Sequence, residues 1–98
     1  MKNRILEFRK TDHFLYRQWD RGIEDKILYK ILPYVECTKY EKVVILVQPS
    51  FLKRKGLKDD QNSLVIIIKR NLLISAYWCN DPNYLFKKEK NSHFQQLN

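Results

Sequence analysis

Two apolar runs, residues 64–69 and 72–78, are separated only by Arg70-Asn71. A two-residue link between strand-forming runs commits the chain to double back as an antiparallel hairpin. A third run, Val43-Val44-Ile45-Leu46-Val47, is β-branched and reads as a central strand ended by Gln48-Pro49-Ser50. Residues 34–40 are a candidate edge strand, with Glu41-Lys42 as the turn that follows. The second half of the chain therefore predicts a meander over residues 34–78.

Upstream of Pro33 the period is helical. Thr11 or Asp12 supplies a capping oxygen for a first helix over about 12–21, and Gly22 suits the left-handed position just past its end. Phe14, Leu15, Trp19 and part of Tyr16 face a core. His13, Arg17 and Arg21 recur every fourth residue, so a helix lines them up on one ridge. A second helix, over about 24–32, carries Ile23, Ile27, Leu28, Ile31 and Leu32 at helical spacing, with Glu24 and Asp25 in its first turn. Pro33 stops it. Residues 11–32 thus form a helical hairpin or an elbow joined at Gly22. Residues 4–9 leave two readings, a lead-in strand or an extra turn.

The element order predicts an α+β fold, a single domain over residues 1–98 in which two N-terminal helices pack on one face of an antiparallel three- to four-stranded sheet. Residues 51–62 read as a charged loop with Gly56 as hinge. Asp81-Pro82-Asn83 breaks the last strand, Tyr84-Leu85-Phe86 packs back on the body, and residues 87–98 are expected to fray.

The chain carries a formal charge of +8. Such a surplus attracts polyanions, chiefly nucleic acid, although an anionic membrane or an acidic protein is drawn in equally. The longest apolar stretch, residues 64–68, is far too short to span a bilayer, and the first residues lack an apolar run of signal-peptide length. The expectation is a soluble cytoplasmic protein with no membrane partner. Cys37 and Cys79 lack metal-ligand spacing and read as two free buried thiols, and no cofactor is expected. Asp59-Asp60 reads as turn chemistry, without a third ligand for a metal.

The remaining candidates are polar residues in unexpected places. Ser75 and Tyr77, two apart, share one face of the last strand. Lys69 joins that face or opposes it according to hairpin register: a two-residue turn pairs it with Leu72, a three-residue loop with Leu73. Lys53, Arg54, Lys55 and Lys58 make a basic loop suited to an RNA backbone, and Lys69 and Arg70 add to it at the hairpin.

The pattern His13-x3-Arg17-x3-Arg21-Gly22-Ile23, followed by a second helix and a strand ending in Ser75-Ala76-Tyr77-Trp78, resembles a domain-of-unknown-function family of small phage- and toxin-associated proteins. That family is grouped with the barnase–EndoU–colicin–RelE superfamily of small RNA-cleaving toxins. The resemblance covers roughly residues 11–78 and lacks the barnase-type catalytic glutamate. It implies metal-independent RNA cleavage by 2′-OH transesterification. His13 would then be general acid or base, Arg17 and Arg21 would stabilise the phosphorane, and Tyr77 or Ser75 would add a hydrogen bond. The implied partners are RNA and an acidic antitoxin or immunity protein. The competing readings are a non-catalytic nucleic-acid-binding module and a protein-interaction toxin or accessory protein on the same scaffold.

Overall fold

In a computed structural model that describes residues 8–36, 41–57 and 62–98, the first helix, α1 (Asp12–Arg21), begins and ends on the residues its sequence marks. The Thr11 hydroxyl oxygen accepts the Phe14 N–H at 3.1 Å. It also donates to the Leu73 carbonyl at 3.0 Å, which ties the helix start to the sheet. Gly22 follows at φ 65°, its N–H donating to the Gln18 carbonyl. An L side chain is disfavoured in that conformation, which is why glycine stands there.

The second helix, α2 (Asp25–Ile31), buries Ile27, Leu28 and Ile31 and passes into a 3₁₀ turn at Leu32–Tyr34, where Pro33 prevents further α-helical bonding. The corner between α1 and α2 is pinned by side chains. Gln18 Nε2 donates to the Ile23 carbonyl at 2.8 Å and to Asp25 Oδ1 at 2.9 Å. Lys10 Nζ reaches the same carboxylate oxygen at 2.6 Å. The Gln18 hydrogen bond and then Lys10 hold the Asp25 carboxyl below its usual range.

The strands are β1 (Arg9–Lys10), β2 (Lys42–Val47), β3 (Ser63–Lys69), β4 (Leu72–Cys79) and β5 (His93–Leu97), ordered β1-β4-β3-β2-β5. The central pairings β2–β3 and β3–β4 are antiparallel, whereas β1 joins β4 and β5 joins β2 in parallel. The fold is α+β, but the sheet is five-stranded and mixed, not an antiparallel one of three or four strands. Two further helices, α3 (Pro49–Arg54) and α4 (Pro82–Lys88), complete the described elements.

Helices cover both faces. Phe14, Ile27, Leu28 and Ile31 from the N-terminal helices and Phe51 and Leu52 of α3 pack on the face bearing Val43, Ile45, Leu64 and Ile66. On the reverse face, Leu85 of α4 covers Val44, Leu46, Val65 and Ile67. The rings of Phe86 and Phe94 meet edge-on there at 4.9 Å. Both faces being covered explains why β2 and β3 are continuously apolar instead of alternating.

Several expectations change. Of the α1 residues expected to face the core only Phe14 is buried, whereas Leu15, Tyr16 and Trp19 are exposed, because the helix presents a single narrow face to the sheet. Residues 87–98, expected to fray, finish α4 and add β5 to the sheet. Residues 49–54, read as strand end and loop, are helical. The described part of the expected 34–40 strand is turn and irregular backbone, and residues 37–40 lie outside the described set, as do 4–7. Cys79 is a free thiol only half-buried, and Cys37 and Asp59-Asp60 are not among the described residues. No helix among the described residues is long and apolar enough to cross a membrane.

The hairpin has the two-residue turn, with Arg70 at φ 58° and Lys69 opposite Leu72. However, Ile67 pairs with Ser75 and Ile68 with Leu73, so Ile74 is an extra residue, a bulge. The bulge restores the parity that the short turn removes. Lys69 therefore shares the face of Ile67, Ser75 and Tyr77 after all, a third solution that neither simple register provided.

Candidate functional site

Strand β1 is two residues long and covers β4 only at Leu72 and Leu73. Below that point α1 runs along the strand's free edge. Arg21 Nη1 donates to the Ala76 carbonyl at 2.8 Å, and the Trp78 indole N–H donates to the Arg21 carbonyl at 2.9 Å. A guanidinium thus satisfies an edge acceptor that a neighbouring strand would otherwise take. This arrangement leaves an open hollow of about 530 Å³ between α1, β4 and α4.

His13, Arg17 and Arg21 reach it from successive turns of α1, and Ser75 and Tyr77 from β4. Ile67 and Trp78 form apolar wall, and Lys88 at the end of α4 closes the far side. None of the described lining residues is acidic. The site is therefore electropositive, with Ser75, Tyr77 and Trp78 half-buried on its β4 side, and it attracts an anion.

Local contacts orient the polar groups. Arg17 Nε–H donates to His13 Nε2 over a long 3.4 Å contact. Asp20 stands 3.9 Å from Arg17 Nη1 and tethers it loosely from the solvent side. The Tyr77 ring is flanked by two cations, Arg21 Cζ at 5.8 Å and Lys88 Nζ at 5.6 Å from its centroid. Burial first, then the neighbouring Cys79 and Glu89, pushes the Tyr77 phenol up to about 12, against the opposing pull of Arg21. At neutral pH Tyr77 is consequently a hydrogen-bond donor.

No family model, curated protein or solved structure matches the chain. The site is thus read from its own geometry.

The other sequence candidates lie elsewhere. Lys53, Arg54 and Lys55 belong to α3 and the turn after it, and none lines the hollow. Arg54 Nη2 donates to the Asn98 carbonyl at 2.6 Å, and Lys55 Nζ donates to the Tyr34 hydroxyl at 2.7 Å. Lys58 lies outside the described residues. Lys69 stands 4.0 Å from Glu41 and borders a separate depression with Lys42 and His93. Arg70 occupies the exposed hairpin turn. Lys88 is the residue that sequence reasoning missed. Its signal was Asp81-Pro82, a cap followed by proline at the first helical position, which starts α4 as much as it ends β4. Among the described residues no group of three or more His, Cys, Asp or Glu side chains is placed to hold a metal ion.

Proposed function

We propose that this chain is a metal-independent endoribonuclease of toxin type acting on RNA in the cytoplasm. The observation that carries the reading is the convergence of one imidazole, two guanidinium groups, a protonated phenol and a lysine on one hollow with no acid among its described lining residues. Transesterification requires the 2′-oxygen to lose a proton as it attacks phosphorus, and the 5′-oxygen to leave. His13 takes the 2′-OH proton on Nε2 once the substrate hydroxyl displaces the long 3.4 Å contact that Arg17 Nε–H makes to that atom. Arg17 and Arg21 hold the non-bridging oxygens, whose charge grows as the phosphorane forms. Tyr77 gives its phenol proton to the departing 5′-oxygen and is reprotonated from solvent, while His13 releases the proton it took back to solvent. Lys88 adds a cation near the leaving group, and Ser75 serves as a lesser donor. The products are a 2′,3′-cyclic phosphate and a 5′-hydroxyl.

The pattern-level resemblance to the barnase–EndoU–colicin–RelE superfamily supports the same chemistry, and the site's charge suits an acidic antitoxin or immunity protein as inhibitor. One observation favours a second reading, a non-catalytic nucleic-acid-binding module: the described lining residues offer a single imidazole and no carboxylate as its partner in proton transfer. Incubating the purified protein with RNA in EDTA separates the two. Cyclic phosphate ends that appear with the wild type and vanish with His13→Ala support the enzyme, whereas tight binding without new ends supports the module.

A further inference from the structure

Trp19 is 80% exposed and Tyr16 is 56% exposed, although both sit on a well-capped helix beside the hollow. A single exposed aromatic needs no explanation. Here two are coupled, with ring centroids 6.3 Å apart and planes inclined at 44°. The Tyr16 ring also carries Arg17 Cζ at 5.7 Å from its centroid. Arg17 is one of the cations that lines the hollow. Around α1, Asp20 lies next to the ridge of His13, Arg17 and Arg21, Tyr16 lies just beyond it under the Arg17 guanidinium, and Trp19 lies one step farther round. Moving outward from the hollow, the surface presents the Arg17 guanidinium, loosely tethered by Asp20, then the phenol ring that this guanidinium overlies, then the indole.

We propose that Tyr16 and Trp19 are a stacking platform for unpaired bases of the RNA strand whose phosphate enters the hollow; this rests on the RNA-directed reading above. A single strand presents phosphate and base side by side, and the protein presents cation and π-face in the same sequence. Stacking on an aromatic ring accepts any base, so the platform fixes the strand without dictating its sequence. A duplex keeps its bases stacked on one another and cannot use it. The substrate class is thus single-stranded RNA.

The probe is a short fluorescein-labelled single-stranded RNA of mixed sequence with 2′-O-methyl groups, which block cleavage, and the readout is fluorescence anisotropy with the full chain. Trp19→Ala is expected to weaken binding by about 5- to 100-fold, with Trp19→Phe retaining most of the affinity. The slope of log affinity against log salt stays the same in both, because no phosphate contact is lost. The same RNA annealed to its complement binds more weakly than the single strand. Indistinguishable affinity among wild type, Trp19→Ala and Trp19→Phe overturns the platform, as does a duplex that binds as tightly as the single strand. The unmethylated RNA then separates this inference from the enzyme reading. A protein that binds through Trp19 but makes no cyclic ends keeps the platform and loses the enzyme. One that cuts RNA while Trp19→Ala changes nothing keeps the enzyme and loses the platform.

Discussion

Two regions of this protein are rich in positive charge, and they differ in what the charge is doing. At the end of α3, Lys53, Arg54 and Lys55 are contiguous in sequence, but Arg54 and Lys55 are occupied. Arg54 lies over the Phe51 ring at 5.4 Å and bonds the Asn98 carbonyl. Lys55 lies 4.9 Å from the Tyr34 ring centroid and bonds its hydroxyl, which lowers the Tyr34 phenol from its ordinary value. On α1 Arg21 also bonds a carbonyl, that of Ala76, and Arg17 is loosely tethered by Asp20, but both still line one open hollow with His13 and with Lys88 from a distant helix. A run of basic residues in the sequence is thus a poor guide to an anion site. Convergence of separate elements on one hollow is a better one.

The contrast is broken most forcefully at His13. His13→Ala should lower the rate of cyclic phosphate formation by about 10²–10⁴-fold with the fold intact, since the side chain is exposed. The double change Lys53→Ala with Arg54→Ala should leave that rate nearly unaltered; equal losses from both regions would erase the distinction. Next in size, Arg17→Ala should cost about 10²–10³-fold in rate, and Arg17→Lys should restore little, because an ammonium lacks the guanidinium fork. Arg21→Ala should in addition lower unfolding free energy in urea by about 1–2 kcal/mol, since the Ala76 carbonyl loses its charged donor.

Smaller effects sharpen the picture through pH. The phenol of Tyr77 ionises at about 12 against an ordinary 10.0, so the folded state retains its proton longer than the unfolded chain. Its contribution to stability is complete below the ordinary value and is lost as pH rises toward about 12. Ultraviolet titration should show a late-ionising tyrosine component that disappears in Tyr77→Phe. Asp25 behaves oppositely. Its carboxyl is held low, so its contribution is present above the ordinary carboxylate range and fades as pH falls below it. Acid melts of Asp25→Asn should show a slightly flatter decline, a small effect for so exposed a group.

The parts of the fold legible in the sequence are those with strong local signals. The Thr11 cap and Gly22 bracket α1, Pro33 ends the second helix, and the Arg70-Asn71 link makes the hairpin. Pro49 and Pro82 misled because proline both stops a strand and opens a helix, and here it does both. Strand β5 was invisible because His93-Phe94-Gln95-Gln96-Leu97 lacks β-branched residues and takes its conformation from pairing with β2. The unbroken apolar runs of β2 and β3 did announce two covered faces, a signal that a one-sided helical layer overlooks. At the site, four-residue spacing exposed the α1 ridge and two-residue spacing exposed Ser75 and Tyr77. Lys88 depends on how α4 folds back across the sheet, and no local pattern encodes that. The bulge at Ile74 was equally hidden, since a register shift is a property of the strand pair.

The central claim is that phosphate enters the α1–β4–α4 hollow and not the basic end of α3. An NMR titration of the full chain with a 3′-nucleotide, following the His13 imidazole and the arginine Nε–H signals together, tests it most directly. The account predicts large shifts at His13, Arg17 and Arg21 with Arg54 unmoved. Shifts centred on Arg54, or none at His13 when the nucleotide is saturating, would contradict it.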